Sequence, residues 1–515
     1  MLGSEKNSRR RAIWTRKTSV FLYFSNDSYK KRVDFLAKSF QRIMIVSVAT
    51  VRCFFEYRST LDTKYESDKE RNNALERCHQ KCAEITLHAL ENNGGIYIKL
   101  GQHISALTYL LPKEWTSTMT PLQDRCPKTL VSDINEMFIE DIGCSLDDMF
   151  SEFDEKPIGV ASLAQVHVAT LRETGEKVAV KCQHPSLKEF VPLDILITKN
   201  VFELLYKVFP EYDLNWLGEE MQSSIYVELN FVEEAKNARN TSDYFKNYQR
   251  QTALRVPKIY SAQPRVLIME YVGGSRLDNL EYFKDNNISR AEVSACLAHI
   301  FNNMIFTPGV GIHCDPHGGN LAIRAIPKRK NGHNFEIILY DHGLYRFVPI
   351  QLRRAYARFW LAIIDSDEKS MRKYAKEFAG VTDEEFPLFA AAMTGRDFEH
   401  AVGNITTPRS QEEINYMVGL FEEGSFLTDV MALLSKLPKI ALLIIKTNDL
   451  VRVLDENMEY PLGPVKSFLI MASYCARTIY EEDREVLLRK VWWTYKTRSH
   501  QLLVYNLVSL FSSSS

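Results

Sequence analysis

The run Ile312-His-Cys-Asp-Pro-His-Gly-Gly-Asn320, followed after two strand-like stretches by Asp341-His-Gly343, decides how this 515-residue chain is read. Asp315 and Asn320 stand five residues apart. The stretches Asn320–Arg324 and Phe335–Tyr340 read as strands, and the basic, turn-rich Pro327-Lys-Arg-Lys-Asn-Gly332 between them predicts a hairpin. Such a hairpin brings together one Asp able to orient an acceptor hydroxyl or a water, and an Asn and a second Asp able to hold Mg²⁺. Phosphoryl transfer needs those oxygen ligands close together, because the metal must bridge phosphate oxygens. Taken alone, Asp-Pro and Gly-Gly-Asn are also ordinary turn residues.

A second segment narrows the choice. Lys177-Val-Ala-Val-Lys181 is a short β-type run ending in lysine, preceded by the turn Glu173-Thr-Gly-Glu176. It matches the kinase strand whose lysine holds nucleotide phosphates and pairs with a helical glutamate. Between it and the acidic motifs, Arg265-Val-Leu-Ile-Met-Glu-Tyr-Val-Gly-Gly274 reads as a strand entering a Gly-containing hinge, where backbone groups near Glu270 and Val272 would meet adenine. Three elements in the order of a two-lobed kinase predict an α+β, protein-kinase-like fold. An ordinary protein kinase is excluded. The catalytic loop reads His313-Cys314-Asp315 instead of His-Arg-Asp, and no Ala-Pro-Glu follows Asp341. The phosphate loop is the alanine-rich Gly159-Val-Ala-Ser-Leu-Ala-Gln-Val166. Alanine restricts a backbone that glycine would leave free to approach phosphate.

Taken together, Lys99-Leu-Gly-Gln102, the Ala-Ser-x-x-Gln-Val loop, Val-Ala-Val-Lys and Asp-x-x-x-x-Asn resemble the UbiB, or AarF-domain-containing, atypical kinases. The resemblance runs from about Ala74 to Leu344. Ile98–His103, Tyr109–Glu114 and Asp341–Tyr345 are similar to the mitochondrial branch with the fungal coenzyme Q distribution proteins and the animal aarF-domain kinase one type. The resemblance implies an extra N-terminal helical extension over the active site. It implies that Lys181 contacts nucleotide phosphates with Glu234 as its ion-pair partner, and that Ala161, Ser162 and Gln165 line the phosphate loop. Asp315 would be the catalytic-loop Asp, and Asn320 and Asp341 would bind Mg²⁺. Lys99 and Gln102 would come from the extension, with Glu228 anchoring Lys99. From the residues alone, Glu233 and Glu234 read as a solvated helix face; the family register selects Glu234. This chain has Glu228-Leu-Asn230 where the family has Glu-x-Asp, which removes a charge beside the Lys99 clamp.

Composition suits a large enzyme: 45% hydrophobic residues supply ample core, and a net charge of −1 gives no general affinity for nucleic acid. Charge is uneven. Residues 1–60 hold 13 Lys/Arg against 4 Asp/Glu. Arg9-Arg-Arg11, Arg16 and Lys17 precede Thr18-Ser-Val-Phe-Leu-Tyr-Phe-Ser25, the pattern of a mitochondrial targeting segment. Ile43–Val51 is apolar for only nine residues, short of the ~20 that cross a bilayer. With Cys53-Phe-Phe55 it reads as an interfacial helix, a buried helix, or a short span helped by snorkelling arginines. Nine scattered cysteines form neither a disulfide framework nor a zinc spacing and read as free thiols. Cys314, inside the catalytic loop, reads as a thiol whose alkylation would block activity.

Four segments are expected: 1–65, targeting and membrane-proximal; 66–150, the helical extension; 151–275, the kinase-like small lobe, with inserted helices around Leu193–Phe209 and Leu217–Phe245; and 276–515, a helical large lobe. Its later part shows helical spacing at Arg353–Ile364, Glu368–Phe378, Gln411–Phe421 and Leu427–Lys436. Trp492-Trp493 and the apolar Leu502–Phe511 are expected to pack on that lobe, a membrane or partner contact being the alternative. The leading functional expectation is an atypical kinase or ATPase that uses ATP and Mg²⁺ in mitochondrial coenzyme Q or related lipid homeostasis, at the inner membrane, with a lipid or isoprenoid quinone as partner. The alternatives are a nucleotide-sensing scaffold and a small-molecule phosphotransferase, whose His-x-Asp-x-x-x-x-Asn pattern is shared but which lacks the Lys99 extension.

Overall fold

The structure, a computed structural model, describes residues 27–106, 111–123, 126, 128–209, 215–314, 316, 318–330, 332–394, 433, 436–460 and 463–512. The chain forms two compact units. One comprises the described residues up to Val232 together with Ile259–Tyr271; the other comprises Glu233–Lys258 and the residues from Val272 on.

The first unit begins with helices α1 (Asp27–Asp62) and α2 (Asp68–Asn93). Ser67 caps α2, accepting the Glu70 amide, and Gly94 stops it, so the Asn-Asn-Gly-Gly run is the expected break. Helices α3 (Ile96–Ala106), α4 (Lys113–Met119) and α5 (Val131–Asp141) follow. The apolar run 43–51 lies inside α1, which packs on the next helices. Arg42 forks onto Asp194 at 2.8 and 2.5 Å, and Tyr57 bonds His79 at 2.7 Å. Among the described residues no helix is long and apolar enough to cross a membrane, so the short-span reading of 43–55 is not met.

A six-stranded sheet completes this unit: β1 (Phe150–Phe153), β2 (Gly159–Val160), β3 (Ala164–Leu171), β4 (Lys177–Gln183), β6 (Ile259–Ala262) and β7 (Val266–Glu270). Its order is β1-β3-β4-β7-β6, with β2 on β3, and the pairings are antiparallel. Alternation puts Val178, Val180 and Cys182 on one face, against Ile134, Met137 and Phe138 of α5. Arg265, before β7, locks α5 with a fork to Asp141 at 2.5 and 2.6 Å and a bond to Glu140 at 2.7 Å. The expected inserted helices are α6 (Ser186–Val208) and α7 (Asn215–Glu228), and the chain then breaks at Leu229-Asn230 before α8 (Phe231–Phe245). The continuous helix expected over Leu217–Phe245 is therefore two helices. Asn230 explains the break: its side chain accepts the Val232 amide, as a helix cap does.

In the second unit β5 (Leu254–Arg255), β10 (His333–Leu339) and β9 (Leu321–Lys330) form a small sheet. The predicted hairpin is present, but β9 runs on through Pro327 to Lys330, where a turn was expected. Helix α9 (Arg290–Phe306) is the unit's buried spine. Around it lie α10 (Ile350–Ile364), α11 (Glu368–Ala379), α12 (Phe386–Thr394), α13 (Lys439–Asn457) and the 50-residue α14 (Gly463–Ser512). The helix expected at Gln411–Phe421, and nearly all of the one at Leu427–Lys436, lie outside the described residues, as do Arg9–Arg11 and the rest of the basic leader.

Candidate functional site

In the first unit Lys181 sits on β4 opposite Val166 and Leu267, on the face away from the α5 core. Its ammonium lies 5.1 Å from the centre of the Phe231 ring, and Phe231 is buried with its amide donated to Pro264 at 3.1 Å. Two residues on, Gln183 donates to the carbonyls of Leu229 (2.7 Å) and Pro264 (3.0 Å). Thus the turn before Phe231 and the turn before β7 are tied to the lysine strand. Sequence reading passed over Gln183, although Gln183-His184 follows the Val-Ala-Val-Lys run almost directly.

The alanine-rich loop is the tip of the β2–β3 hairpin, closed by the Ala161 amide on the Ala164 carbonyl at 2.7 Å. His184 pins it. Its amide donates to Leu163 O at 3.1 Å, and its Nε2 to Ala161 O at 3.0 Å. That bond requires the Nε2–H tautomer, so Nδ1 accepts the Thr129 hydroxyl at 2.6 Å. Gln165, expected to serve the nucleotide, has its amide committed within the chain. Its Oε1 accepts the Thr129 amide at 2.8 Å, and its Nε2 donates to Thr129 O at 3.0 Å and to His167 at 2.8 Å. The structure therefore assigns it to holding the loop. Ser162 is buried and Ala161 is exposed. Burial lowers the pKa of both His167 and His184, against carbonyl bonds to Asp154 and Ala161 that pull the other way.

The Lys-x-Gly-Gln motif occupies α3. Lys99 pairs with Glu228, at the end of α7, at 2.9 Å, with 13% and 18% of the two side chains exposed. Gln102 donates to Leu122 O at 3.0 Å, and the surface of Gly101 is filled by the Leu122 side chain. The motif ties α3 to α7 through Lys99 and to the Leu122 turn through Gln102. Asn230, the departure from the family pattern, caps α8, and the Lys99–Glu228 pair forms with it in place.

At the hinge, Glu270 ends β7 opposite Val178, and the Lys177 ammonium lies 5.0 Å from the Tyr271 ring centre. In the second unit the chain from Val272 on meets the hairpin of β9 and β10. Val272 packs with Ala322 and Ile338, and its carbonyl accepts the Tyr340 hydroxyl at 2.8 Å. Ser275 and Ile323 exchange both backbone bonds at 2.8 Å. A Cβ on Gly274 would lie 2.9 Å from Ala322 Cβ and 3.1 Å from Ile323 O, so only glycine permits this approach.

The hairpin register sets the candidate metal ligands. Leu321 faces Leu339, and the Tyr340 amide donates to Asn320 O at 3.0 Å, so Asn320 and Asp341 leave the hairpin side by side. Asp341 Oδ1 accepts the Gly343 amide at 2.9 Å. His313 is fully buried and donates Nε2–H to Asp341 O at 2.9 Å, which makes its role structural. Beside it, β8 (Ile312–His313) pairs with β11 (Tyr345–Arg346), Cys314 N donates to Leu344 O at 3.0 Å, and Thr447 of α13 donates to His313 O at 3.3 Å. Asp315 itself lies outside the described residues.

Helix α8 covers this loop with one stripe, Glu234, Asn237, Ala238 and Thr241, at helical spacing. Asn237 donates to His342 O at 3.0 Å, and Thr241 to the Tyr345 hydroxyl at 3.3 Å. His342 donates Nε2–H to Leu339 O at 3.2 Å, so its Nδ1 accepts the Tyr345 hydroxyl at 3.0 Å. Glu234 is 2% exposed whereas Glu233 is exposed and pairs with Lys236 at 3.3 Å, so the solvated-face reading holds for Glu233 alone. Burial chiefly, with the Asp341 and Glu234 carboxylates adding to it against the Thr241 hydrogen bond, pushes the Tyr345 phenol far up, so it stays neutral. Cys314 is fully buried with its thiol on Ile312 O at 3.4 Å. The expectation that a reagent could reach it in the native protein is thus corrected.

Asn320 and Asp341 fit a hard cation, since both supply oxygen. Among the described residues no group of three or more His, Cys, Asp and Glu could cage a metal, and a shell with few protein ligands is completed by water or by phosphate oxygens. Mg²⁺ is commonly held in that way.

A family model, the ABC1 atypical kinase-like domain, matches residues 121–375. The ABC1 family protein MCP2 of Saccharomyces cerevisiae is 56% identical over 95% of this chain and 90% of its own length. The MCP2 homolog of Schizosaccharomyces pombe is 46% identical over 92% and 85%. The AarF domain-containing kinase 1 of Drosophila melanogaster is 35% identical over 82% and 78%.

Proposed function

Because this chain belongs to the ABC1/AarF atypical-kinase family, we propose that it is a Mg-ATP-dependent phosphotransferase or ATPase acting on a mitochondrial lipid, coenzyme Q or a related isoprenoid compound. The observation that carries the nucleotide reading is the clasp around Asp341. His313 from the Asp315 loop, Asn237 from α8 and the Asn320 hairpin all fix the backbone of one short acidic segment. A carboxylate held that rigidly suits a metal whose position must not drift during transfer.

Bound Mg-ATP would supply the transferable phosphoryl group and the metal charge. Asn320 and Asp341 would hold the metal, and Lys181 the phosphates, with Glu234 as its counter-charge. The hinge backbone at Glu270 and Val272 would accept the base, and Asp315 would orient the acceptor hydroxyl or water. The tied Lys99 extension would disfavour large peptide acceptors. The lipid and quinone assignment is supported by the resemblance in Lys99–Gln102, Ala161–Val166 and Asp341–Tyr345. The basic, nearly acid-free leader supports mitochondrial import, and the inner membrane is proposed with it.

The test is thermal stabilisation of the full chain by Mg²⁺ with ATP and with ADP. At a ligand concentration about 100 times Kd, a real site adds about 2.7 kcal/mol to the folded state. A Mg²⁺-dependent rise in wild type, lost in Asp341→Asn and in Lys181→Ala, is expected. A well-folded wild type with no shift would overturn the nucleotide reading. Failure of quinone-bearing vesicles to change ATP turnover would overturn the lipid reading.

A further inference from the structure

Helix α14 changes character at Glu485. Before that point it belongs to the second unit's core. Tyr474 and Cys475 are buried, and the Tyr474 hydroxyl takes a bond from Asn303 of α9 at 2.6 Å. Arg354 of α10 pairs with Glu485 at 2.6 Å and with Glu482 at 3.8 Å, and Arg358 also pairs with Glu482. Past these ion pairs every described side chain from Val486 to Ser499 is exposed. Among them are Leu487 at 61%, Leu488 at 59%, Val491 at 58%, Trp492 at 60% and Trp493 at 70%. The packing expected of Trp492-Trp493 is thereby corrected, because the helix has already left the lobe.

A helix exposing this much apolar surface implies a surface that covers it. The chemistry selects which. From Val486 to Ser515 the sequence holds no Asp or Glu, while Arg489, Lys490, Lys496 and Arg498 are all present. The Lys496 ammonium lies 5.1 Å from the Trp492 ring centre. Leu487, Leu488, Val491 and Trp492 share one stripe at helical spacing, with Arg489 and Lys496 along one edge and Lys490 along the other. Indole rings seat at the headgroup level of a bilayer, and flanking cations pair with lipid phosphate. A symmetric contact with a second copy would set these cations against each other. No helix among the described residues can cross a membrane, so the contact would lie in the interface plane.

We propose that Val486–Ser499 is a docking surface for an anionic phospholipid bilayer. It requires no nucleotide and stands apart from the phosphoryl-transfer reading. The test is flotation of the full chain with phosphatidylcholine vesicles carrying about one-fifth anionic phospholipid, and with neutral vesicles. Wild type is compared with Trp492→Ser/Trp493→Ser and with Arg489→Glu/Lys490→Glu/Lys496→Glu. Wild type should float with anionic vesicles, and each variant should bind about tenfold or more weakly. The melting midpoint and any Mg-nucleotide shift should be unchanged, because these side chains are exposed. Wild type that does not float, or that floats equally on neutral vesicles, would overturn the proposal. Variants that float like wild type would overturn it too, moving the contact elsewhere, for example to the exposed Leu36, Phe40, Val48 and Phe55 of α1. A dimer lost in the tryptophan variant, without flotation of wild type, would replace lipid by a second copy.

Discussion

A Cβ on residue 101 would lie 2.1 Å from the Leu122 side chain and 3.1 Å from that of Leu90. Leu122 is fully buried and cannot swing away. Gly101→Ala should therefore cost about 1–3 kcal/mol through overpacking, read as a lower denaturant midpoint at unchanged slope. An unchanged midpoint would mean that α3 shifts freely. Cys314 makes the opposite point. Its position in the acidic loop suggested an accessible thiol, yet the side chain is fully buried with its thiol on the Ile312 carbonyl. In native protein a thiol reagent should leave Cys314 unlabelled by mass spectrometry and label it only on unfolding. Gln165 is similar: a polar residue in a nucleotide-loop motif reads as a ligand until its amide is found spent on Thr129.

At the scale of elements, Lys99–Glu228 joins α3 to α7 with both partners largely shielded from water. Removing one partner strands the other, so Lys99→Ala and Glu228→Ala should each destabilise by about 1–3 kcal/mol. In the double variant the losses should fall well short of additive. Full additivity in a double-mutant cycle would show that the pair does not couple. Helix α8 shows why its glutamates could not be assigned by composition. Glu233 and Glu234 are adjacent, and only the helix phase that puts Asn237 and Thr241 on the His342–Tyr345 segment sends Glu234 inward. Helix α14 runs through two environments, buried around Tyr474 and Cys475 and exposed past the Glu482 and Glu485 ion pairs with Arg354 and Arg358.

Over the whole molecule, burial chiefly holds His79, His167, His184 and His299 below their ordinary pKa of 6.5. The unfolded chain then binds more protons than the folded one below that value. Stability should consequently fall as pH drops from about 7 to about 5. A second loss should follow from about 4.5 down to about 2, where the unfolded chain protonates Glu140 and Glu385 while both, held near 2 by ion pairs and hydrogen bonds, stay ionised in the folded protein. Melting midpoints across this range check both steps, and a midpoint level between pH 7 and 5 would contradict the first.

Much was legible in the residues themselves. The Asn320–Asp341 hairpin, the lysine strand, the Asn-Asn-Gly-Gly break and the free cysteines depend on local rules: alternation, turn chemistry, capping and spacing. These act over a few residues and survive whatever surrounds them. What only the tertiary structure decided was which side of each element meets another. It turned Glu234 inward and Glu233 outward, spent Gln165 on a distant backbone, buried Cys314, made Gly101 a packing requirement and left Trp492 and Trp493 in the open. Burial and hydrogen-bond partnership are properties of pairs of segments far apart in the chain, and a local pattern does not encode its partner.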